Sequence, residues 1–148
     1  MLSKTLAELF ERDLLKLKEE ILLYKDEKKM WLIENQISNS GGNLCLHLIG
    51  NLNHFIGATL GNSGYVRQRD LEFSSKDVPR ATLIEKIEAT IQVIVPVLNQ
   101  LSHEQLEADF PLEKHGKIVT TEYMLLHLLM HLSYHLGQIN YHRRLLDV

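Results

Sequence analysis

From Leu2 to Tyr24 the apolar residues Leu6, Leu9, Phe10, Leu14, Leu17, Ile21 and Leu22 recur three and four positions apart among Glu, Lys and Arg. That spacing predicts an amphipathic helix. A charged stretch, Asp26 to Met30, follows, and the segment WLIENQISNS ends in the cap-forming residues Ser38, Asn39 and Ser40. They predict the start of a second helix, running from Gly41 to about Leu60. This helix carries Gly41, Gly42, Gly50 and Gly57, each costing up to about 1 kcal/mol relative to Ala in a helix interior. Such a cost implies close packing against these positions. Gly61 to Pro79 contains repeated turn signals, and YVRQRDLEF within it has no sustained stripe, so the expectation is a long, ordered connection.

A third stripe, Leu83, Ile84, Ile87, Ile91, Ile94, Val95 and Leu98, predicts a helix from Arg80 to Leu101, bent at Pro96. Between Ser102 and Val119 the pieces Asp109-Phe110-Pro111 and Lys114-His115-Gly116 interrupt regular structure, and Lys117 to Val119 suits a short extended piece. Thr120 or Thr121 then caps a last helix that continues close to Val148. Four long helices and no strand pattern predict an all-α fold, a four-helix bundle formed by residues 1–148 as a single domain.

Composition narrows the function classes. With 45% apolar and 24% charged residues the chain is an ordinary globular sequence, and its formal charge of -3 provides no general attraction to phosphate backbones or anionic membranes. Nucleic acid and membrane are not expected partners. The longest apolar run is too short to span a bilayer. The lone Cys45 cannot form an internal disulfide and no signal-peptide pattern opens the chain, so a cytoplasmic location is expected.

The chemistry lies in the histidines. His127, His131 and His135 occur every four residues in the last helix, so adjacent imidazoles stand on one face about 6 Å apart along the axis and can share an ion. This helix is apolar almost all round, which predicts that its histidines are buried. The second helix supplies a matching polar stripe of Asn43, His47, Gly50 or Asn51, and His54. Buried imidazoles need partners for both ring nitrogens, and a shared divalent ion satisfies several at once. Three neutral imidazoles on a Zn-like ion leave positions open for water or substrate, as in catalytic sites.

Plainer roles also fit several of these residues. His54 suits a core histidine bonded to a carbonyl, His127 a polar core residue or a donor behind the ligands, and His142 charge compensation at a helix C-terminus beside Arg143 and Arg144. His103 and His115 lie in polar, loop-like sequence. Arg67 or Arg69 could meet an anionic substrate, although a solvated charge run is the more common explanation for such residues. No phosphate loop, HExxH, CxxC or GxSxG motif is present, and Cys45 faces away from His47.

Taken in order, SGGNLCLHLIGNLNHFIG, YVRQRDLEF and HLSYHLGQI resemble the DinB/YfiT-like superfamily of metal-dependent proteins over essentially the whole chain. The resemblance implies a bundle of up-down-down-up connectivity and often a homodimer. It implies a metal, Zn or Ni, held by His47 from the second helix and by His131 and His135 from the last, with His54 the alternative to His47. His127, His54, Asn51 and Tyr134 are then candidates for supporting the ligands. Some relatives are thiol-dependent transferases or isomerases, which implies a small-molecule substrate and a low-molecular-weight thiol. The expected function is a divalent-metal-dependent transferase or hydrolase; the alternative is a non-enzymatic metal or small-ligand binding module.

Overall fold

The computed structural model describes residues 1–148, and all its regular structure is helical. Helix α1 spans Leu2–Leu23, α2 Gly41–Leu52, α3 Arg69–Ser74, α4 Arg80–Asn99, α5 His103–Glu107 and α6 Thr121–Leu146. A 3₁₀ turn covers Glu27–Trp31, and a π-helical segment, Asn53–Ala58, extends α2. The long helices follow the apolar stripes. Leu6, Phe10, Leu14, Leu17 and Ile21 of α1 are buried, as are Leu83, Ile87, Ile94 and Leu98 of α4. Leu125, Leu128, Leu132 and Ile139 of α6 join Leu48, Leu52 and Ile56 in the same apolar cluster. Each buried aliphatic side chain contributes roughly 1.5–3 kcal/mol relative to exposure, more than helix propensity supplies at any position. Helix α1 packs on α4 and α6, while α2 packs on α6, α4 and α3. No helix is long and apolar enough to cross a membrane.

Helix starts follow their caps. Ser40 Oγ accepts from the Asn43 amide at 3.1 Å, and Thr120 Oγ1 from the Tyr123 amide at 3.1 Å. The 3₁₀ turn begins where Asp26 Oδ1 accepts from the Lys28 amide at 3.0 Å. Pro96 does not end α4, which continues to Asn99.

Several expectations are corrected. The predicted continuous second helix changes ladder at Asn53, where π-type bonding takes over. The connection containing YVRQRDLEF includes α3, a helix too short to repeat a stripe. Helix α5 lies in the interval expected to be irregular and is started by a capping box, with Ser102 Oγ accepting from the Gln105 amide and Gln105 Oε1 from the Ser102 amide. Lys117 to Val119 form the return arm of a hairpin-like loop that pairs Phe110 with Val119 and turns at His115 and Gly116, both at positive φ.

Helix α6 is not enclosed on all sides. Leu126, Met130 and Tyr134 are exposed, and His127, His131 and His135 are half-buried. His142 does not compensate helix-end charge: it is buried, 2.7 Å from Tyr24 Oη through Nδ1 and 2.9 Å from the Leu32 carbonyl through Nε2. A carbonyl only accepts, so Nε2 carries the proton and Nδ1 accepts from the tyrosine. The neighbouring Arg143 is paired across to α1, donating to Glu20 Oε2 at 2.9 Å.

Candidate metal centre

Helix α2 presents His47 toward α6, and α6 presents His131 and His135 one turn apart toward α2. Nε2 of His131 lies 3.2 Å from Nε2 of His47 and 3.1 Å from Nε2 of His135. Ligand atoms of all three residues fall within 4.8 Å of one another. A tetrahedral ion with metal–nitrogen bonds of about 2.0–2.1 Å separates its ligands by about 3.3 Å. Both separations from His131 fit that spacing.

The outer ring nitrogens strengthen that fit. His47 Nδ1 is 3.0 Å from Glu72 Oε1, and Glu72 is 6% exposed. A carboxylate only accepts, so Nδ1 carries the proton and the Nε2 lone pair of neutral His47 points inward. Arg67 Nη2 also comes within 3.3 Å of that Nδ1, but its closer bond is to Glu72 Oε1 at 2.9 Å, while its Nε donates to Oε2 at 2.8 Å. Both donors therefore share the carboxylate. His135 Nδ1 lies 2.6 Å from Gln138 Oε1, which assigns it the donor role and turns its Nε2 lone pair inward as well.

His131 thus faces two lone pairs. Its own Nδ1 is buried without a partner. With one proton on a neutral ring, donating from Nε2 serves one neighbour and leaves the other unpaired, while protonating Nδ1 sets three lone pairs against each other. A cation at the centre removes the conflict, so these three histidines can hold a metal ion. Protonation is the poor alternative. Burial first, then the charges of His135, His47, His127 and Arg67, push the His131 pKa down to about 3. Burial lowers that of His47 too, against the opposing hydrogen bond to Glu72.

Glycine placement explains how Glu72 reaches His47. A Cβ on Gly50 would collide with the Glu72 carboxylate, and one on Gly42 would lie 2.7 Å from the Trp31 indole. The glycines of α2 thus admit a carboxylate and an indole, as the expectation of close packing anticipated in general terms. Asn43 holds the other end of α3, its Nδ2 donating to the carbonyls of Glu72 at 3.0 Å and Ser75 at 2.8 Å. Glu72 itself was not singled out from sequence. Its signal was indirect, a helix-interior glycine one turn beyond a histidine.

The supporting candidates separate. Asn51 is buried beside the cluster, with its Oδ1 unpartnered. The His127 ring stacks on that of His131 at 6.5 Å, and burial, then Lys114 and His115, lower its pKa. Tyr134 is 66% exposed and touches the site only through its ring, 5.4 Å from that of His135. His54 stands outside the three-histidine group, half-buried against Phe55 at 4.7 Å, because seven residues of helix carry it about 10 Å along the axis from His47 even though they return it to nearly the same face. Cys45 is fully buried in the core, and burial pushes its thiol up to about 12.

A cavity of about 430 Å³ opens over the cluster, with His47, Asn51, Phe55, Arg67, His127 and His131 in its wall. No curated protein matches the chain. The model of one family, described as Protein of unknown function (DUF1572), matches residues 4–147. Spanning nearly the entire sequence, that match shows that the chain belongs to the DUF1572 family.

Proposed function

We propose that this protein is a divalent-metal-dependent enzyme of DinB-like architecture, with α1, α2, α4 and α6 as an up-down-down-up bundle and the ion held by His47, His131 and His135. The observation that carries the reading is the convergence of three Nε2 atoms, two of them with lone pairs turned inward by Glu72 and Gln138. Bound there, Zn or Ni would supply Lewis acidity, lowering the pKa of a thiol or water at an open position.

The remaining work belongs to the chain's own side chains. Glu72 holds the His47 ring in one tautomer and orientation, as carboxylates behind metal-binding histidines do. Gln138 does the same for His135. His127, neutral at pH 7 because its pKa is lowered, is placed to take a proton from a ligand entering the cavity. Phe55 and Met124 give that cavity an apolar wall. Thiol transfer or hydrolysis of a small molecule suits this combination, with a low-molecular-weight thiol as co-substrate. A homodimer working in the cytoplasm completes the proposal.

Elemental analysis of protein purified without a metal-affinity tag tests it. About one Zn or Ni per chain is expected, lost in His131→Ala, because removing the central ligand leaves two histidines that no longer share a neighbour. Protein with no stoichiometric metal and no uptake on dialysis would refute the reading.

A further inference from the structure

One face of α6 is apolar and yet turned outward. Tyr123, Leu126, Met130, Tyr134, Tyr141 and Leu145 are between 41% and 72% exposed, and at about 100° per residue all six fall within an arc of about 100°. Arg144 is the only Asp, Glu, Lys or Arg in that arc, whereas the exposed positions of α1 include Glu8, Glu11, Arg12, Lys16 and Glu19. Gly137 lies in the middle of the same row. A Cβ there would meet no atom within 4 Å, while each glycine of α2 admits a neighbouring side chain. Nothing within the chain calls for glycine at this position, where it weakens the helix by about 1 kcal/mol relative to Ala.

We propose that this face seats a second copy of the chain, the two α6 helices packing antiparallel about a two-fold axis that passes between Ser133 and Tyr134. Met130 and Gly137 are equally far from that axis, so each Met130 side chain enters the space over the partner's Gly137, a reciprocal contact that makes the interface isologous. Leu126 meets the partner's Tyr141 in the same way. The charges agree with this register. Arg144, whose guanidinium lies 5.3 Å over its own Tyr141 ring, comes beside Glu122 of the partner subunit, and neither residue has an ion pair within its own chain. The two Arg144 side chains stay about 30 Å apart, well beyond the screening length of roughly 8–10 Å, whereas parallel helices would set each against its copy. The six apolar side chains expose roughly 700 Å², more than the largest patch of about 300–600 Å² on a typical monomer and close to the roughly 800 Å² each partner contributes to a standard interface. Tyr134 stands beside His135, with ring centres 5.4 Å apart, so the contact borders the candidate metal centre. The inference deepens the homodimer of the proposed function by naming its surface, and it does not depend on the metal.

Sedimentation equilibrium of the full chain, both Zn-loaded and chelator-treated, tests it, and a dimer is expected. Met130→Glu and Gly137→Leu should each raise the dimer Kd by about 100-fold or more, the first by burying a charge and the second by filling the gap. Both positions face solvent within the chain, so circular dichroism should be unchanged. Glu122→Arg alone and Arg144→Glu alone should each weaken the dimer about three- to tenfold. Mixed together, these two variants should form a heterodimer within about twofold of the parent, since each Arg then faces a Glu. Cys45 is fully buried, which leaves an introduced cysteine as the reactive thiol. Ser133→Cys, next to the axis, should be joined to its copy by a short bismaleimide, and Arg144→Cys should not.

A dimer that Met130→Glu and Gly137→Leu leave intact overturns this inference, as does crosslinking at Arg144→Cys in place of Ser133→Cys, or a mixture of the charge variants no tighter than either alone; a homodimer through another surface would then stand. A parent that is monomeric at every concentration removes both the inference and the homodimer, leaving the metal reading in place. A dimer with all these responses in a protein that takes up no metal would do the reverse.

Discussion

Replacing Glu72 by Ala strikes the link between α3 and the candidate centre. The carboxylate accepts from His47 Nδ1 at 3.0 Å and from Arg67 at 2.8 and 2.9 Å, with Glu72 and Arg67 side chains 7% and 12% exposed. Losing the partner behind a metal-binding histidine typically weakens affinity about 10- to 100-fold. Here the upper end is expected, because Arg67 would remain 3.3 Å from His47 Nδ1 with its charge uncompensated. Breaking one side of a buried pair costs roughly 3–5 kcal/mol, and slight exposure of Arg67 places this case near about 3. At about 2–4 °C per kcal/mol for a chain of this size, the metal-free protein should melt about 6–12 °C lower. Competition with a chromophoric chelator measures the affinity, and thermal melts after metal removal measure the stability. Glu72→Gln keeps an acceptor for Nδ1 but loses the charge, so its affinity should fall between Ala and parent. Unchanged affinity and melting in Glu72→Ala would refute the orienting role.

Gly50→Ala should destabilise the parent by about 1–3 kcal/mol through collision with that carboxylate, yet stabilise the Glu72→Ala background by up to about 1 kcal/mol, where only helix propensity remains; equal effects in both backgrounds in urea titrations would break the link. Gly42→Ala, meeting the Trp31 indole at 2.7 Å, should lower stability by about 1–3 kcal/mol and change the tryptophan fluorescence, and a silent substitution would contradict the packing. His142 has its pKa lowered by burial, against the opposing bond to the Leu32 carbonyl, so the unfolded chain binds a proton that the folded one refuses. Its contribution is therefore complete above the ordinary histidine value of about 6.5 and is lost as pH falls below it. Metal-free protein should show a falling urea midpoint from pH 7.5 to 5, with a shallower slope in His142→Asn; identical slopes would sink this assignment.

The long helices were legible because a repeated stripe states both their extent and their buried face. Leu83, Ile87, Ile94 and Leu98 are buried as their spacing demands. Helix α3 cannot announce itself in this way, since six residues hold no second repeat, and α5, only five residues long, is marked in the sequence by nothing more than the capping box of Ser102 and Gln105. The three histidines stood out because four-residue spacing on a helix has a geometric meaning before any contact is known. His142 did not, because its partners are Tyr24 and Leu32, more than a hundred residues away, and only packing brings them together. The same limit hid Glu72, which is separated from His47 by a connection whose course no local pattern dictates.

Could the histidine cluster be ordinary core polarity, present only to hold helices together? Stability gives little reason for it. A buried pair such as Arg67–Glu72 is often no better than apolar residues of the same volume. Accommodating it also requires glycine at position 50, which weakens a helix interior by up to about 1 kcal/mol. His131 is then left with an unpartnered nitrogen, and Asn51 with an unpartnered oxygen, on the wall of the same cavity. Buried unpartnered atoms also occur at Trp31 and Arg80, but at the cluster an unpartnered imidazole nitrogen, a buried ion pair and a carboxylate admitted by a glycine meet around ring nitrogens that approach one another. A localised set of unfavourable choices that together fix His47 in one tautomer is what a binding centre requires and what a merely cohesive core does not.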